Sequence, residues 1–237
     1  MSGNMTQSTL IPAISFSHFS TASHDHESGS QEDTDYSTDS EEEQGDESIS
    51  FSDLLVKYQV EDKFDGPGKT FIPADIIKGI TISTIRTELG LGEDEEKELV
   101  EWIARHARRA FATVVLCGVS QRNLLKTMKQ FKEKEEKEKK GFQDDKLPLH
   151  KTRVDKRHPA FPADVWKSKL SRDDFFNKQW GLLAPVFHDG QYEYNLFPNS
   201  TLPFIEKDDD PKKGSFGEVS RIEIHPAHLD ESIPATV

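Results

Sequence analysis

Two glycines near the carboxy end of the chain, Gly214 and Gly217, lie three residues apart in the stretch Gly214-Ser215-Phe216-Gly217-Glu218-Val219. Because glycine has no Cβ, such a stretch can turn tightly and bring backbone N–H groups close to an anion. The spacing therefore predicts an anion-binding turn of the kind that holds phosphate. An ordinary hairpin with a glycine-rich turn is the alternative interpretation.

The residues on either side of this turn are typical of β-strands. Residues 202–205 suit a strand that enters the turn, and residues 219–224, with Val219, Ile222 and Ile224, suit one that leaves it. Upstream, Asp189-Gly190 between apolar segments predicts a second hairpin, whose outgoing strand would carry residues 192–196.

The turn resembles the glycine-rich loop of protein kinases, G-x-G-x-x-G-x-V. Gly214 and Gly217 match the second and third glycines, Val219 matches the valine, and Phe216 is an aromatic residue that could fold over phosphates. Lys212 stands in place of the first glycine, which should weaken the approach of the backbone to a nucleotide. The resemblance implies that Gly214, Ser215, Phe216, Gly217 and Val219 bind ATP, with Mg²⁺ as its companion.

The flanking segments extend the resemblance. Residues 180–187, 202–205 and 222–228 are similar to the region that enters the kinase domain in a group of fungal Ser/Thr protein-kinase-like proteins. In those proteins a helical segment like residues 70–145 precedes the catalytic domain. The resemblance thus places the start of a kinase domain near residue 200.

The side chains that transfer phosphate in kinases do not follow the loop. A kinase needs a strand lysine, a catalytic Asp, and an Asn and a second Asp for Mg²⁺, yet no lysine follows Lys213 and the sequence contains no His-Arg-Asp or Asp-Phe-Gly triplet. We therefore predict no catalytic residue, and ATP and Mg²⁺ binding that is weak or absent. The expectation is an inactive kinase fragment, truncated or from an incomplete gene model. The alternative is a non-catalytic regulatory protein whose helical segment binds a protein partner.

Other candidate chemistry is weaker. His225 and His228, like His24 and His26, could each offer two imidazoles to a metal, but a closed site needs four ligands, and we predict no metal site. Cys117 lies in an apolar run and is expected to be a buried thiol, with no disulfide. The chain has nine histidines and many serines, so residues of the types found in a catalytic triad are present by chance. We therefore infer no triad.

Charge is distributed unevenly along the chain. The net charge is −13, and residues 1–56 hold twelve acidic residues and no lysine or arginine, so the remainder is close to neutral. An acidic segment excludes nucleic acid binding there. Neither a signal peptide nor a membrane-spanning stretch is indicated, so we expect an intracellular protein, in the cytoplasm or nucleus.

The expected fold class is α+β, with hairpins resembling the start of a kinase N-lobe. We predict a disordered acidic tail over 1–48, with possible phosphorylation at Thr38 and Ser40 because acidic residues follow them. A helical segment is predicted over 49–145, a linker over 146–160, a helix and hairpin over 161–199, and the incomplete kinase N-lobe over 200–237.

The strongest helical pattern covers residues 93–117 and predicts a single long helix that Gly118 ends. His106 falls on its apolar side and is expected to be a core residue. Arg105, Arg108 and Arg109 are expected on a solvated flank.

Overall fold

The computed structural model describes residues 49–64, 68–138, 142–150, 160–162, 164–166, 169–191, 193–208, 210–215 and 217–230. Within these ranges the chain combines helices with small antiparallel sheets, which is compatible with the predicted α+β class. The predicted acidic tail, with Thr38 and Ser40, lies outside the described residues, as do Phe216 and His24 and His26.

The helices lie in the first three quarters of the chain. They are α1 Phe51–Lys57, α2 Ala74–Lys78, α3 Ile82–Leu89, α4 Lys97–His106, α5 Arg108–Leu116, α6 Gln121–Glu138 and α7 Lys169–Lys178. Short 3₁₀ segments cover Asp144–Lys146, Gln179–Leu182 and Pro226–His228.

Side-chain caps explain where two of these helices begin. The Ser50 hydroxyl accepts a hydrogen bond from the Asp53 N–H at 3.1 Å in α1, and the Thr81 hydroxyl accepts one from the Thr84 N–H at 3.1 Å in α3. Gly90 ends α3 with φ +66°, a left-handed conformation that favours glycine. Local sequence therefore determines both boundaries of α3.

The prediction of one long helix over 93–117 is wrong. The helix breaks at Ala107, whose φ of −140° and ψ of 28° are not helical, and α4 and α5 are separate elements. The Asp144 carboxylate then caps α5 from outside, since it accepts the N–H groups of Arg109 at 3.1 Å and Ala110 at 2.9 Å. A negative charge at this position stabilises the partial positive charge of the helix N-terminus.

The break also changes the predicted positions of polar side chains. His106 is exposed rather than buried, because the buried line of α4 runs from Ile103 to Ala107. Arg105 is exposed as predicted and pairs with Glu101 at 2.9 Å. Arg108 and Arg109 are half-buried, and the Arg108 guanidinium donates to the Lys78 carbonyl at 2.8 Å.

A cluster of aromatic rings forms one part of the core. Its members are Phe131, Phe142, Phe161, Trp166 and Phe175, with neighbouring ring centroids 5.0–5.9 Å apart. The Trp166 indole N–H donates to the Thr127 hydroxyl at 3.2 Å, so its polar atom is satisfied inside the core. This cluster fastens α6 to α7, because Phe131 lies in α6 and Phe175 in α7.

The strands are short and form two-stranded antiparallel pairs. They are β1 Val60–Glu61, β2 Thr70–Phe71, β3 Phe204–Lys207, β4 Lys212–Gly214, β5 Gly217–Val219 and β6 Ile222–Ile224. β1 pairs with β2, β3 with β6, and β4 with β5. β3 and β6 form the lower pair of one hairpin, and β4 and β5 form the upper pair next to its turn; we call this the two-tiered hairpin. The register shifts between Phe204 and Glu206 in the lower pair.

The hairpin predicted around Asp189-Gly190 forms only in part. The turn is present, and Gly190 has φ +74°, but the described residues among 191–197 form no strand. The reason is that Phe187 has other backbone partners: its N–H donates to the His228 carbonyl, and its carbonyl accepts the Asp230 N–H, both at 2.8 Å. The Tyr194 ring packs on Phe187 instead, with centroids 5.0 Å apart.

Candidate functional site

The two glycines of the predicted anion-binding turn face each other at the tip of the two-tiered hairpin. Gly214 is the partner of Gly217 across β4 and β5, and Ser215 lies in the turn that joins them. Gly217 has φ +152°, which side chains rarely adopt. The bend falls at the predicted glycines, but the strand that enters it is β4 and not residues 202–205, which were predicted for that role; β3, at Phe204–Lys207, pairs with β6 instead.

The tip has open space around it. Among the described residues other than its chain neighbours, no heavy atom lies within 4 Å of the position a Cβ would occupy on Gly217, and Val219 is 71% exposed. Glycine at 217 is therefore favoured by backbone conformation and not by crowding.

Lys212, the departure from the kinase pattern, lies in regular β4 opposite Val219. Lys212 has a negative φ: among the described residues other than glycine, only Glu96 has a positive one. A side chain is accommodated there without strain. Lys212 and Lys213 bring positive charge to the tip, while Asp208 and Asp210 precede it.

The base of the hairpin is joined to the helical part by a buried carboxylate. Asp62, 1% exposed, accepts hydrogen bonds from the N–H groups of Leu202 at 3.0 Å and Phe64 at 2.8 Å. Next to it, the Lys63 N–H donates to the Phe204 carbonyl at 2.8 Å. β3 is thereby attached to β1. Nothing in the local sequence marks Asp62 among its acidic neighbours.

His228 makes a second connection at the hairpin base. It is 1% exposed; its Nε2 accepts the Ala74 N–H at 3.2 Å, and its Nδ1 donates to the Pro185 carbonyl at 2.8 Å. Burial lowers the pKa of His228, an effect that the nearby His225 reinforces. Both ring nitrogens have backbone partners, so this imidazole serves as a structural link.

His225, the other member of the predicted imidazole pair, is also engaged. Its Nδ1 accepts the Ala227 N–H at 3.2 Å, and burial lowers its pKa. Among the residues that the structure describes, no group of three or more His, Cys, Asp or Glu side chains is placed to hold a metal ion.

A cleft that sequence analysis did not find lies between α1, β2, α7 and the segment before β3. It has a volume of about 680 Å³. Its shape depends on Gly181: a Cβ there would lie 2.9 Å from the Thr70 carbonyl oxygen, and the Ile72 N–H donates to the Gly181 carbonyl at 2.8 Å. This close approach of two backbones gives no periodic signal in the sequence.

Cys117 follows α5 and is half-buried. Burial raises the pKa of its thiol to about 12, although the Lys178 ammonium lowers it and the Asp174 carboxylate raises it further. The thiol is therefore protonated at neutral pH and is a poor nucleophile.

Comparisons with family models, curated proteins and solved structures give no match to this chain. The resemblance to kinases therefore depends on the residues of the loop and its flanks alone. Within the described ranges, no helix combines the length and apolar character needed to cross a membrane.

Proposed function

We propose that this chain carries the ATP-phosphate-binding hairpin of a Ser/Thr protein-kinase-like protein and does not transfer phosphate by itself. The observation that supports this best is the pairing of Gly214 with Gly217 at the exposed tip of an antiparallel hairpin. A strand, a glycine-rich turn and a strand cover the phosphates of ATP in kinases. The two-tiered hairpin has the same order of elements.

The tip suits a polyphosphate more than it suits a metal. Because glycine adds no side chain at 217, a phosphate group can approach the backbone amides, and β4 adds positive charge to the hairpin through Lys212 and Lys213, one on each face. The acidic side chains of Asp208 and Asp210 reduce that attraction, so affinity is weak. Mg²⁺ fits here only as a companion of the phosphates, because the described residues offer no cluster of ligands for it.

The given sequence lacks the side chains with which kinases transfer phosphate. No lysine after Lys213 can hold the α- and β-phosphates, and there is no His-Arg-Asp or Asp-Phe-Gly triplet. The hairpin therefore binds without catalysing. Asp62, which follows β1, holds the start of the hairpin, and His228 holds its end against the first residue of α2.

The test is a titration of the ¹⁵N-labelled chain with MgATP, and separately with tripolyphosphate, followed by NMR. We expect chemical-shift changes at the amides of Gly214, Ser215 and Gly217 with both ligands, and none with adenosine. Gly217→Val should abolish them, because valine does not adopt φ +152°. Gly190→Ala, which disturbs a different turn with positive φ, is the matched control and should leave them intact.

Unchanged tip amides at millimolar MgATP, in a chain that remains folded, would overturn the proposal. The non-catalytic regulatory protein, with a partner for its helical segment, would then replace it. Transfer of phosphate from labelled ATP by the purified chain would contradict the absence of catalysis.

A further inference from the structure

The cleft beside α7 differs in chemistry from the hairpin tip and shares no residue with it. Its volume of about 680 Å³ lies within the range of roughly 300–1,000 Å³ common for small-molecule sites. Its walls come from α1, β2, the end of α5, α7 and the segment around residue 200. Elements that are distant in the sequence thus converge on one concave surface.

One part of the wall is apolar and partly aromatic. It includes Val56, Ile72, Leu116, Phe176 and Trp180. The rings of Phe176 and Trp180 meet edge to face, with centroids 5.9 Å apart, and are held rigidly by the core. A flat ring in the cleft would bury apolar surface against them.

The polar part of the wall is cationic and rich in amides. Lys178 and Lys69 line it together with Gln59, Asn177 and Asn199, and none of the described lining residues is acidic. This is notable in a chain with 43 acidic and 30 basic residues. Each ammonium already donates to a backbone carbonyl, Lys178 to Leu116 and Lys69 to Ser200, so an anion would take up the remaining donors of Lys178. Gln59 already accepts a hydrogen bond from Thr70 through Oε1 at 3.3 Å, which leaves its amide N–H groups for other acceptors. The cleft therefore favours a negatively charged acceptor.

Trp180 lines the cleft with its ring, while its polar atom is turned away from solvent. Its side chain is part of the cleft wall and is 8% exposed, yet its indole N–H is buried without a hydrogen-bond acceptor among the described residues. Buried donors of this kind are rare, because leaving them unpaired costs free energy. Because this N–H is closed off from solvent, a ligand in the cleft would contact the Trp180 ring and not its nitrogen.

We infer that this cleft binds a small organic anion that carries an aromatic ring. Its carboxylate or phosphate contacts Lys178 and the neighbouring amides, and its ring lies on Phe176 and Trp180. A carboxylate and a phosphate present the same chemistry here, namely oxygen acceptors with negative charge. The inference does not depend on the proposed function, because no residue of the hairpin tip takes part.

The experiment compares a pair of fluorescent probes on the full chain. The first is the aromatic anion 8-anilinonaphthalene-1-sulfonate, and the second is its uncharged analogue N-phenyl-1-naphthylamine. We expect saturable binding of the anion at one site, with the neutral probe about tenfold weaker. Lys178→Gln should weaken binding of the anionic probe about tenfold and leave binding of the neutral probe unchanged.

Lys57→Gln is the matched control, because Lys57 is an exposed lysine in α1 beside Val56 that does not line the cleft. It should bind both probes as the unaltered chain does. Competition by adenosine monophosphate against competition by indole-3-acetate then distinguishes a phosphate from a carboxylate ligand. The more effective competitor shows whether the ligand's anionic group is a phosphate or a carboxylate.

Three results would overturn the inference. They are equal binding of the charged and neutral probes, equal effects of Lys178→Gln and Lys57→Gln, and no displacement of the anionic probe by either competitor at millimolar concentration. Circular dichroism of each variant ensures that a lost signal reflects the cleft and not unfolding. Asn177→Asp places a negative charge in the same wall. It should weaken binding of the anionic probe, as Lys178→Gln does.

Discussion

His228 accepts a hydrogen bond from the backbone N–H of Ala74, a residue 154 positions earlier in the chain. The other ring nitrogen donates to the Pro185 carbonyl at 2.8 Å, so the imidazole is neutral with its proton on Nδ1. One side chain thus joins the start of α2, the segment after α7 and the 3₁₀ turn after β6. Protonation of Nε2 would make it a second donor facing the Ala74 N–H, and the hydrogen bond between them would be lost.

We expect this link to make the stability depend on pH. Burial lowers the pKa of His228 below its usual value of 6.5, so the unfolded chain takes up a proton more readily than the folded one. The stabilisation is complete above pH 6.5 and is lost as the pH falls toward the lowered pKa. Urea unfolding at pH 7.5, 6.5 and 5.5 should show a falling free energy of unfolding.

The control for this prediction is His106→Gln, since His106 is exposed and should leave the pH dependence unchanged. His228→Gln should flatten it, although His225, whose pKa burial also lowers, contributes in the same direction. An identical loss of stability on acidification in His228→Gln would show that His228 is not responsible.

Asp144 caps α5 from outside the helix, and its removal should destabilise the protein. Asp144→Ala leaves the N–H groups of Arg109 and Ala110 without an acceptor, which costs about 1–2 kcal/mol. The neighbouring Asp145→Ala removes an exposed carboxylate that pairs with Lys146 and should change stability by less than about 0.5 kcal/mol. Equal effects of the two substitutions in urea unfolding would refute the capping role.

Gly181 allows two backbone segments to approach each other. In Gly181→Ala the new Cβ would lie 2.9 Å from the Thr70 carbonyl oxygen, so the backbone must shift at a cost of about 1–3 kcal/mol. Gly92→Ala is a suitable control, because its Cβ would lie 3.7 Å or more from neighbouring atoms at an ordinary φ. Thermal unfolding of both variants would decide: an unaffected Gly181→Ala contradicts the close approach.

Cys117 should react slowly with iodoacetamide at pH 8. Burial raises its pKa to about 12, so the thiolate fraction is far smaller than that of a free cysteine. Mass spectrometry over a time course should show slow alkylation of the folded chain and fast alkylation in 6 M guanidinium chloride. Similar rates under both conditions would mean that the thiol is accessible and normally acidic.

The features that sequence analysis predicted correctly depend on neighbouring residues. Gly118 follows α5 with φ +68°, and β6 lies within the predicted outgoing strand. Both depend on contacts within a few positions, and residue types report such contacts directly. The incoming strand was misplaced: β4 at Lys212–Gly214 enters the turn, and not residues 202–205.

The features that it missed depend on partners far away in the chain. Ala107 suits a helix, yet the helix breaks there. Asp144 caps the new N-terminus from 35 positions after Arg109 and 34 after Ala110. Asp62 and Gly181 look ordinary in the sequence, and their roles become visible only when Leu202 and Thr70 are placed beside them. Periodicity and propensity carry no information about such pairs, which is why the cleft was not predicted.

The connections from Asp62 to Leu202 and from Ala74 to His228 have a consequence for biosynthesis. At a ribosomal rate of about 5–20 residues per second, the 154 residues between Ala74 and His228 take roughly 8–30 s to be made. Throughout that interval the N–H of Ala74 lacks its final acceptor, because His228 has not yet been translated. This hydrogen bond therefore forms late, after the sequence of every helix from α1 to α7 has been synthesised.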